Sequence, residues 1–306
     1  MKRLLPLLLF PLALFADSFR FESQDPNKGT CCQWDAIVYY AYVFPWHSDA
    51  EYLITGRAHI DDPLGGYLSY SQGQVNLRYT LCVDPCSALA VNFGYDWSTF
   101  DLTDNPYFHD TGFPELNLSL SGYTRRIPRW LWTGMVGLWW QTTQANLGRY
   151  GDYHGILAGR YDWCPNLGFH MGILWIAGKR KGFVRPVIGI DTMIRRKVKL
   201  SLVYPTDMAV TYCFTKDTSL AFAAHFLRNR QRAAPNEPVP EAIWEYRSWG
   251  FELRLDHHAT TRFGVEAYVG CLPAGWVKIY TQLADLLTYR ELNVTFYAGA
   301  KAFFNF

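Results

Sequence analysis

The sequence predicts an all-β protein: a closed antiparallel barrel that crosses a membrane with strands. Three observations carry the prediction. Apolar and polar residues alternate with a period of two along most of the chain, as in half-buried strands. Large rings are abundant, with 20 Phe, 20 Tyr and 12 Trp making 17% of 306 residues, and such rings concentrate where a membrane meets water. After the first residues, no stretch reaches the ~18 apolar residues a spanning helix needs. The richest, Leu131 to Trp140, is too short.

The chain opens MKRLLPLLLFPLALFADS. Lys2 and Arg3 precede an apolar run from Leu4 to Phe15, and the small Ala16 stands before Asp17. This is the layout of a secretory signal peptide. Pro6 and Pro11 argue against a buried N-terminal helix. The expected organisation is a signal peptide at 1–16 and a single transmembrane β-barrel domain at 17–306. No Cys follows the expected cut, which speaks against a lipid anchor.

The strands follow from the alternation. Val75, Leu77, Tyr79 and Leu81 share one face opposite Asn76, Arg78 and Thr80. Leu89, Val91, Phe93, Tyr95 and Trp97 oppose Ala90, Asn92, Gly94 and Asp96. Phe263, Val265, Ala267 and Val269 oppose Arg262, Gly264, Glu266 and Gly270. Predicted strands are 18–23, 35–44, 52–60, 74–82, 88–97, 116–123, 131–141, 154–163, 168–176, 184–194, 198–204, 208–214, 219–227, 244–255, 262–271 and 289–306. That gives about sixteen strands, with twelve or fourteen as alternatives. Several approach the ~9–11 residues a tilted spanning strand needs.

Connection lengths agree. Gaps 24–34, 61–73, 98–115, 142–153, 228–243 and 272–288 are long. Gaps 45–51, 83–87, 124–130, 164–167, 195–197, 215–218 and 256–261 are mostly short. Membrane barrels have long loops at one end and short turns at the other. Gaps 177–183 and 205–207 are shorter than this pattern wants. The proline-rich Arg232 to Ala242 reads as a surface loop. Trp276 to Leu287 shows helical spacing and reads as a short helix in a loop or as more of the last strand. Loops 98–115 and 272–288 are candidate plugs.

The same alternation would serve a soluble sandwich with its apolar face inward. Three features turn that face outward. Small residues, including Gly94, Gly159, Gly172, Gly189, Gly264 and Gly299, lie on the polar faces. Trp and Tyr gather near strand ends, at Trp46, Trp97, Trp130, Trp140, Trp163, Trp244, Trp249 and Tyr289, as interface girdles do. The last strand ends on an aromatic residue.

That last segment, with Phe306, Phe304 and Ala302 at alternate positions, resembles the C-terminal targeting strand of Gram-negative outer-membrane β-barrels. Pro186 to Phe222 also resembles an uncharacterised outer-membrane family, which implies no activity. The first resemblance implies location in the outer membrane, contact with its lipids, and recognition of Phe304 and Phe306 by the barrel-insertion machinery. It also implies closure of the last strand against the first.

In such a barrel the polar faces line the lumen. The expected lining residues are Arg57, Arg78, Arg185, Asp191, Glu252, Arg254, Arg262, Glu266, Glu291 and Lys301. Their mixed signs suit cross-strand ion pairs better than a selectivity ring. Cys31 and Cys32 are side by side and are candidates for disulfides to a neighbouring copy, while Cys82 and Cys86 flank a turn and are candidates for a local bridge. No His stands at ligand spacing beside a Cys pair, so no metal is expected, and nothing implies a cofactor. Arg195, Arg196 and Lys197 suit lipid phosphates better than nucleic acid. Asp256, His257 and His258 form the most tempting catalytic cluster but fall in a predicted turn. The expected function is a porin-like channel for small solutes. A disulfide-linked surface protein and a lipid-modifying enzyme are the alternatives.

Overall fold

The computed structural model describes residues 44–61, 65–84, 86–164, 166–179, 182–194 and 197–306. The expected signal peptide, the strand 18–23, most of 35–44, and Cys31 and Cys32 lie outside the described residues, as do Arg195 and Arg196.

Along the chain the strands are β1 (Trp46–Thr55), β2 (Ala58–Asp61), β3 (Tyr67–Asp84), β4 (Ser87–Leu102), β5 (Gly112–Thr124) and β6 (Trp130–Gln141). A one-turn helix α1 (Leu147–Tyr150) precedes β7 (Gly151–Cys164), β8 (Leu167–Gly178), β9 (Phe183–Ile194), β10 (Val198–Tyr204) and β11 (Asp207–Cys213). The last five are β12 (Thr218–Arg232), β13 (Ile243–His258), β14 (Phe263–Tyr280), β15 (Leu286–Leu292) and β16 (Thr295–Asn305). All neighbouring pairs are antiparallel, and β1 pairs with both β3 and β16. Fourteen strands therefore close a ring, and β2 and β15 stand outside it. Closure leaves no open sheet edge, the condition a β-structure must meet in hydrocarbon.

The apolar faces look outward. In β4, Leu89, Val91, Phe93, Tyr95 and Trp97 are all exposed, while Ala88, Ala90, Gly94 and Ser98 are buried between them. This outward run covers nine residues, Leu89 to Trp97, which matches the length of a tilted spanning strand. Aromatic rings ring the end that carries the short turns. Trp46 stacks on Phe306 at 6.3 Å, Trp130 lies 5.2 Å from Tyr161, and Trp163 lies 6.2 Å from Phe169.

The seam strands are interrupted rather than ended. Ile54 pairs with Ala298 and Ile60 with Leu292 in one continuous frame. Thus β2 continues β1, and β15 continues β16, past a break at residues 56–57 and 293–294. Two hydrogen bonds bridge the break: the Gly56 amide donates to the Phe296 carbonyl at 2.8 Å, and the Asn293 amide to the His59 carbonyl at 2.8 Å. Thr55 and Ala58 are both buried, and so are Leu292 and Thr295. A two-residue spacer between buried positions reverses the faces, since strand side chains alternate. That reversal corrects two expected lumen positions. Arg57 is exposed at the break, and Glu291 is on the outer face, where it accepts from the Tyr289 hydroxyl at 3.0 Å.

Strand heights are unequal. β3 and β14 each have 18 residues, whereas β10 and β11 have seven. β12 pairs with β11 only as far as Ala223↔Ala209. Beyond that point it is paired to β13 alone, through Arg232↔Ile243. Residues 225–233 are buried without interruption. A strand in a single-layer wall alternates, so unbroken burial means that both faces are covered. The β12–β13 hairpin turns in across the mouth, with β12 free of β11 while β13 stays laddered to β14 as far as Ile243↔Tyr280. The bend is permitted at a bulge between Trp249 and Phe251. Gly250 sits there, and a Cβ on it would meet the Cys271 carbonyl oxygen at 1.9 Å.

Three sequence expectations are refined here. Residues 233–242 form the hairpin tip, a loop with Pro235, Asn236, Pro238 and Pro240 exposed and Ala233 and Ala242 fully buried at its base. Trp276 to Leu287 is not helical: it is the end of β14, a turn at 281–285 and the start of β15. Trp244 is fully buried inside the mouth rather than in a girdle.

Phe93 lies midway along the outward run of β4. Phe93→Arg is expected to destabilise the folded protein by about 2–4 kcal/mol, read by denaturant titration in lipid. An unchanged midpoint would mean that this face does not meet hydrocarbon.

Candidate functional site

The interior has two levels. At the turn end, a vestibule opens to solvent, with Lys199, Asp207, Asp217, Arg254, Asp256 and Lys301 among its lining. Inward alternation brings acids and bases from neighbouring strands within reach. Arg254 Nε lies 3.5 Å from Glu266 Oε1 and 3.0 Å from Glu252 Oε1. Glu252 also accepts from the Tyr297 hydroxyl at 2.9 Å and lies 3.0 Å from His225 Nδ1. Lys301 Nζ is 3.8 Å from Asp49. Across the barrel, Asp191 receives Arg160 at 3.0 Å and His170 at 2.9 Å.

Of the expected lining residues, Arg78, Arg185, Asp191, Glu252, Arg254, Glu266 and Lys301 are on the inner face. Arg262 is instead exposed in the turn before β14, its guanidinium 5.1 Å from the Phe44 ring centroid. Cys82 and Cys86 are free thiols, and Cys82 pairs across the ladder with Ala88. His258 faces the vestibule, 3.5 Å from Asp256, while His257 Nδ1 contacts the Thr218 hydroxyl at 3.0 Å. Among the described residues no group of three His, Cys, Asp or Glu side chains converges to hold a metal.

Above the vestibule the hairpin fills the mouth, and its two faces differ. One is aromatic. Trp244 stacks on Phe100 at 4.2 Å and meets Phe113 edge-on at 5.2 Å. Tyr246 lies 4.9 Å from Tyr70, whose hydroxyl accepts from Asn229 Nδ2 at 2.9 Å. This face packs on β3, β4 and β5. The other face carries three arginines spaced by two. Arg228 Nη2 donates to Glu245 Oε1 at 3.1 Å, and Arg230 Nη2 to Asp152 Oδ1 at 2.6 Å. Arg232 Nη2 donates to the Lys179 carbonyl at 2.8 Å. Lys179 in turn pairs with Glu115 and donates to Gln231 at 2.9 Å. This face packs on β5 to β9.

The tip is fastened separately. Gln141 Nε2 donates to the Arg232 carbonyl at 2.7 Å, and Arg149 Nη1 to Glu241 at 2.7 Å. The Val239 amide donates to the Tyr107 carbonyl at 2.9 Å, and the His109 amide to Glu237 at 2.6 Å. In the loop between β4 and β5, lost solvation and then the nearby Glu237 carboxylate push the Asp110 carboxyl above its ordinary value.

Sequence reasoning missed this site because Arg228, Arg230, Arg232 and Trp244 border a proline-rich segment that resembles a linker. The available signal was the every-second-residue arginine spacing, which is strand periodicity continuing into the supposed loop.

No protein-family model matches this chain. It is 22% identical over 277 residues to an uncharacterised protein of Chlamydia pneumoniae, covering 86% of this chain and 87% of that protein. Among solved structures it is similar to the translocator domain of the autotransporter NalP from Neisseria meningitidis, with 10% identity, TM-score 0.40, and 97% and 100% of the two chains covered. It is also similar to the P. putida toluene transporter TodX, with 8% identity, TM-score 0.41, and 86% and 90% covered.

Two outcomes test the site. Trp244→Ala is expected to weaken docking of the hairpin by about 3–5 kcal/mol, exposing the tip to protease while the barrel stays folded. Uncut protein would mean that the aromatic face does not hold the hairpin. Because the Asp110 carboxyl is raised in the closed form, closing binds protons. Its contribution is complete below the ordinary value of 3.8 and is lost as pH rises through the raised one. Protease resistance of the tip is therefore expected to rise on acidification, and Asp110→Asn should flatten that dependence.

Proposed function

We propose that this protein is a gated passive channel for small solutes in a Gram-negative outer membrane, with the β12–β13 hairpin as its gate. One observation carries the reading. A polar vestibule leads to an obstruction that stays laddered to the sheet on its β13 side but meets β3 to β9 through side-chain contacts. Past Ala223, β12 has no ladder partner except β13. Undocking β12 and the tip would break contacts with β3 to β9 and the Val239–Tyr107 bond, with the hairpin still hinged on the β13–β14 ladder from Ile243↔Tyr280 to Ser248↔Gly275. Membrane lipids would surround the outward apolar face, and the segment ending in Phe304 and Phe306 is the proposed insertion signal.

Planar-bilayer recording tests the proposal. Wild-type protein is expected to be mostly closed, with rare openings. A Trp244→Ala, Arg230→Gln double variant, which loosens both faces of the hairpin, is expected to raise open probability at least ~10-fold, on the scale set by losing a core aromatic. If both stay silent although each is inserted and folded, the barrel is not a channel.

A further inference from the structure

We propose that Arg185, Arg228 and Arg247 form an oxyanion-binding site for a phosphate or carboxylate group, where the hairpin meets β9. The proposal rests on the channel reading and narrows its solutes to small anions. Arg228 and Arg247 are directly opposite each other on β12 and β13. Like charges at such a pair repel. One carboxylate oxygen serves both: Glu245 Oε1 accepts from Arg228 Nη2 at 3.1 Å and from Arg247 Nε at 3.0 Å. Arg185 is the third cation. Its guanidinium is 5.0 Å from the centroid of the Phe183 ring, and that of Arg228 is 4.6 Å from the same centroid. Arg185 Nη1 donates to the Tyr204 hydroxyl at 3.2 Å. The next cation along the hairpin, Arg230, is matched by Asp152. Three guanidinium groups thus gather near the carboxylate of Glu245.

A second observation points to a ligand. The Arg228 side chain is only 4% exposed, yet its Nη1 has no hydrogen-bond partner among the described residues. A buried charged donor left unmet is costly. An oxyanion beside it supplies several acceptors at once, and guanidinium forks match carboxylate and phosphate geometry. Phe183 holds two of the planar groups in place by stacking. Because Arg185 belongs to the wall and Arg228 and Arg247 to the hairpin, a bound anion would touch both the wall and the gate.

The test uses full-length protein in a zwitterionic detergent micelle, with thermal unfolding followed in sodium phosphate and in sodium chloride at matched ionic strength. Phosphate is expected to raise the midpoint specifically. Arg185→Gln and Arg228→Gln should each weaken apparent phosphate affinity ~10-fold or more, as expected for losing a charge-assisted bond. Glu245→Gln removes the competing carboxylate. It should be less stable in chloride and rescued by phosphate at lower concentration than wild type. Should Arg228→Gln fail to fold, the opposite responses of Arg185→Gln and Glu245→Gln decide the matter. Equal effects of the two salts, or a phosphate effect unchanged by every variant, would make the cluster a structural ion-pair network only and overturn the proposal. Stabilisation by phosphatidylglycerol without free phosphate would identify the oxyanion as a lipid headgroup and overturn the solute assignment. Phosphate binding in a protein that never conducts would remove the channel and leave the site standing.

Discussion

Every structural feature here depends on one requirement: backbone amides and carbonyls in hydrocarbon must find partners within the protein. A single strand cannot meet it, and an open sheet fails at its two edges. Pairing β1 with β16 removes both edges. Once the ring is closed, the alternation of side chains leaves little freedom. Leu89, Val91 and Phe93 face outward, so Ala90, Asn92 and Gly94 face inward. The ion pairs around Glu252 and Asp191 follow from that geometry, because inward charges on adjacent strands have only one another and water for partners.

The ring does not require equal strand heights, and the mouth is built from that freedom. β10 and β11 stop early, so the upper part of β12 has no neighbour on that side. An unpaired edge so placed folds inward, where the wall's inner face can cover it. The two faces of the hairpin then contribute differently. Burial of Trp244 and Tyr246 supplies most of the attraction, since aromatic side chains lose large apolar area to water. The buried pairs Arg230–Asp152 and Lys179–Glu115 offset their own desolvation and add little net stability. They define where the hairpin sits, because any other position strands a charge. Attraction on one face and register on the other fix a single docked position for the hairpin.

Much of this was legible in the sequence. The outward faces of β3, β4 and β14, the short turns, β10 and the inward positions of Arg78, Glu252, Arg254, Glu266 and Lys301 all follow from a period of two. Where the period is interrupted, the sequence misleads. Leu292 shares parity with Phe296 and Phe304 but faces inward, because the break at 293–294 reverses the strand. Glu291 was misplaced for the same reason. The hairpin was misread because Pro235, Pro238 and Pro240 dominate its tip, although the arms on either side are strand.

Sequence by itself determined which side chains lie on opposite faces of a strand, since that is set by local backbone geometry within a few residues. It therefore determined that Leu89, Val91 and Phe93 share one face of their strand. Only the tertiary structure decided that fourteen strands close the ring, that the seam strands reverse at mid-height, and that Arg228 and Trp244 lie inside the mouth. Those outcomes depend on which strands run out of neighbours. That is a property of pairing between segments far apart in the chain, and no local pattern encodes it.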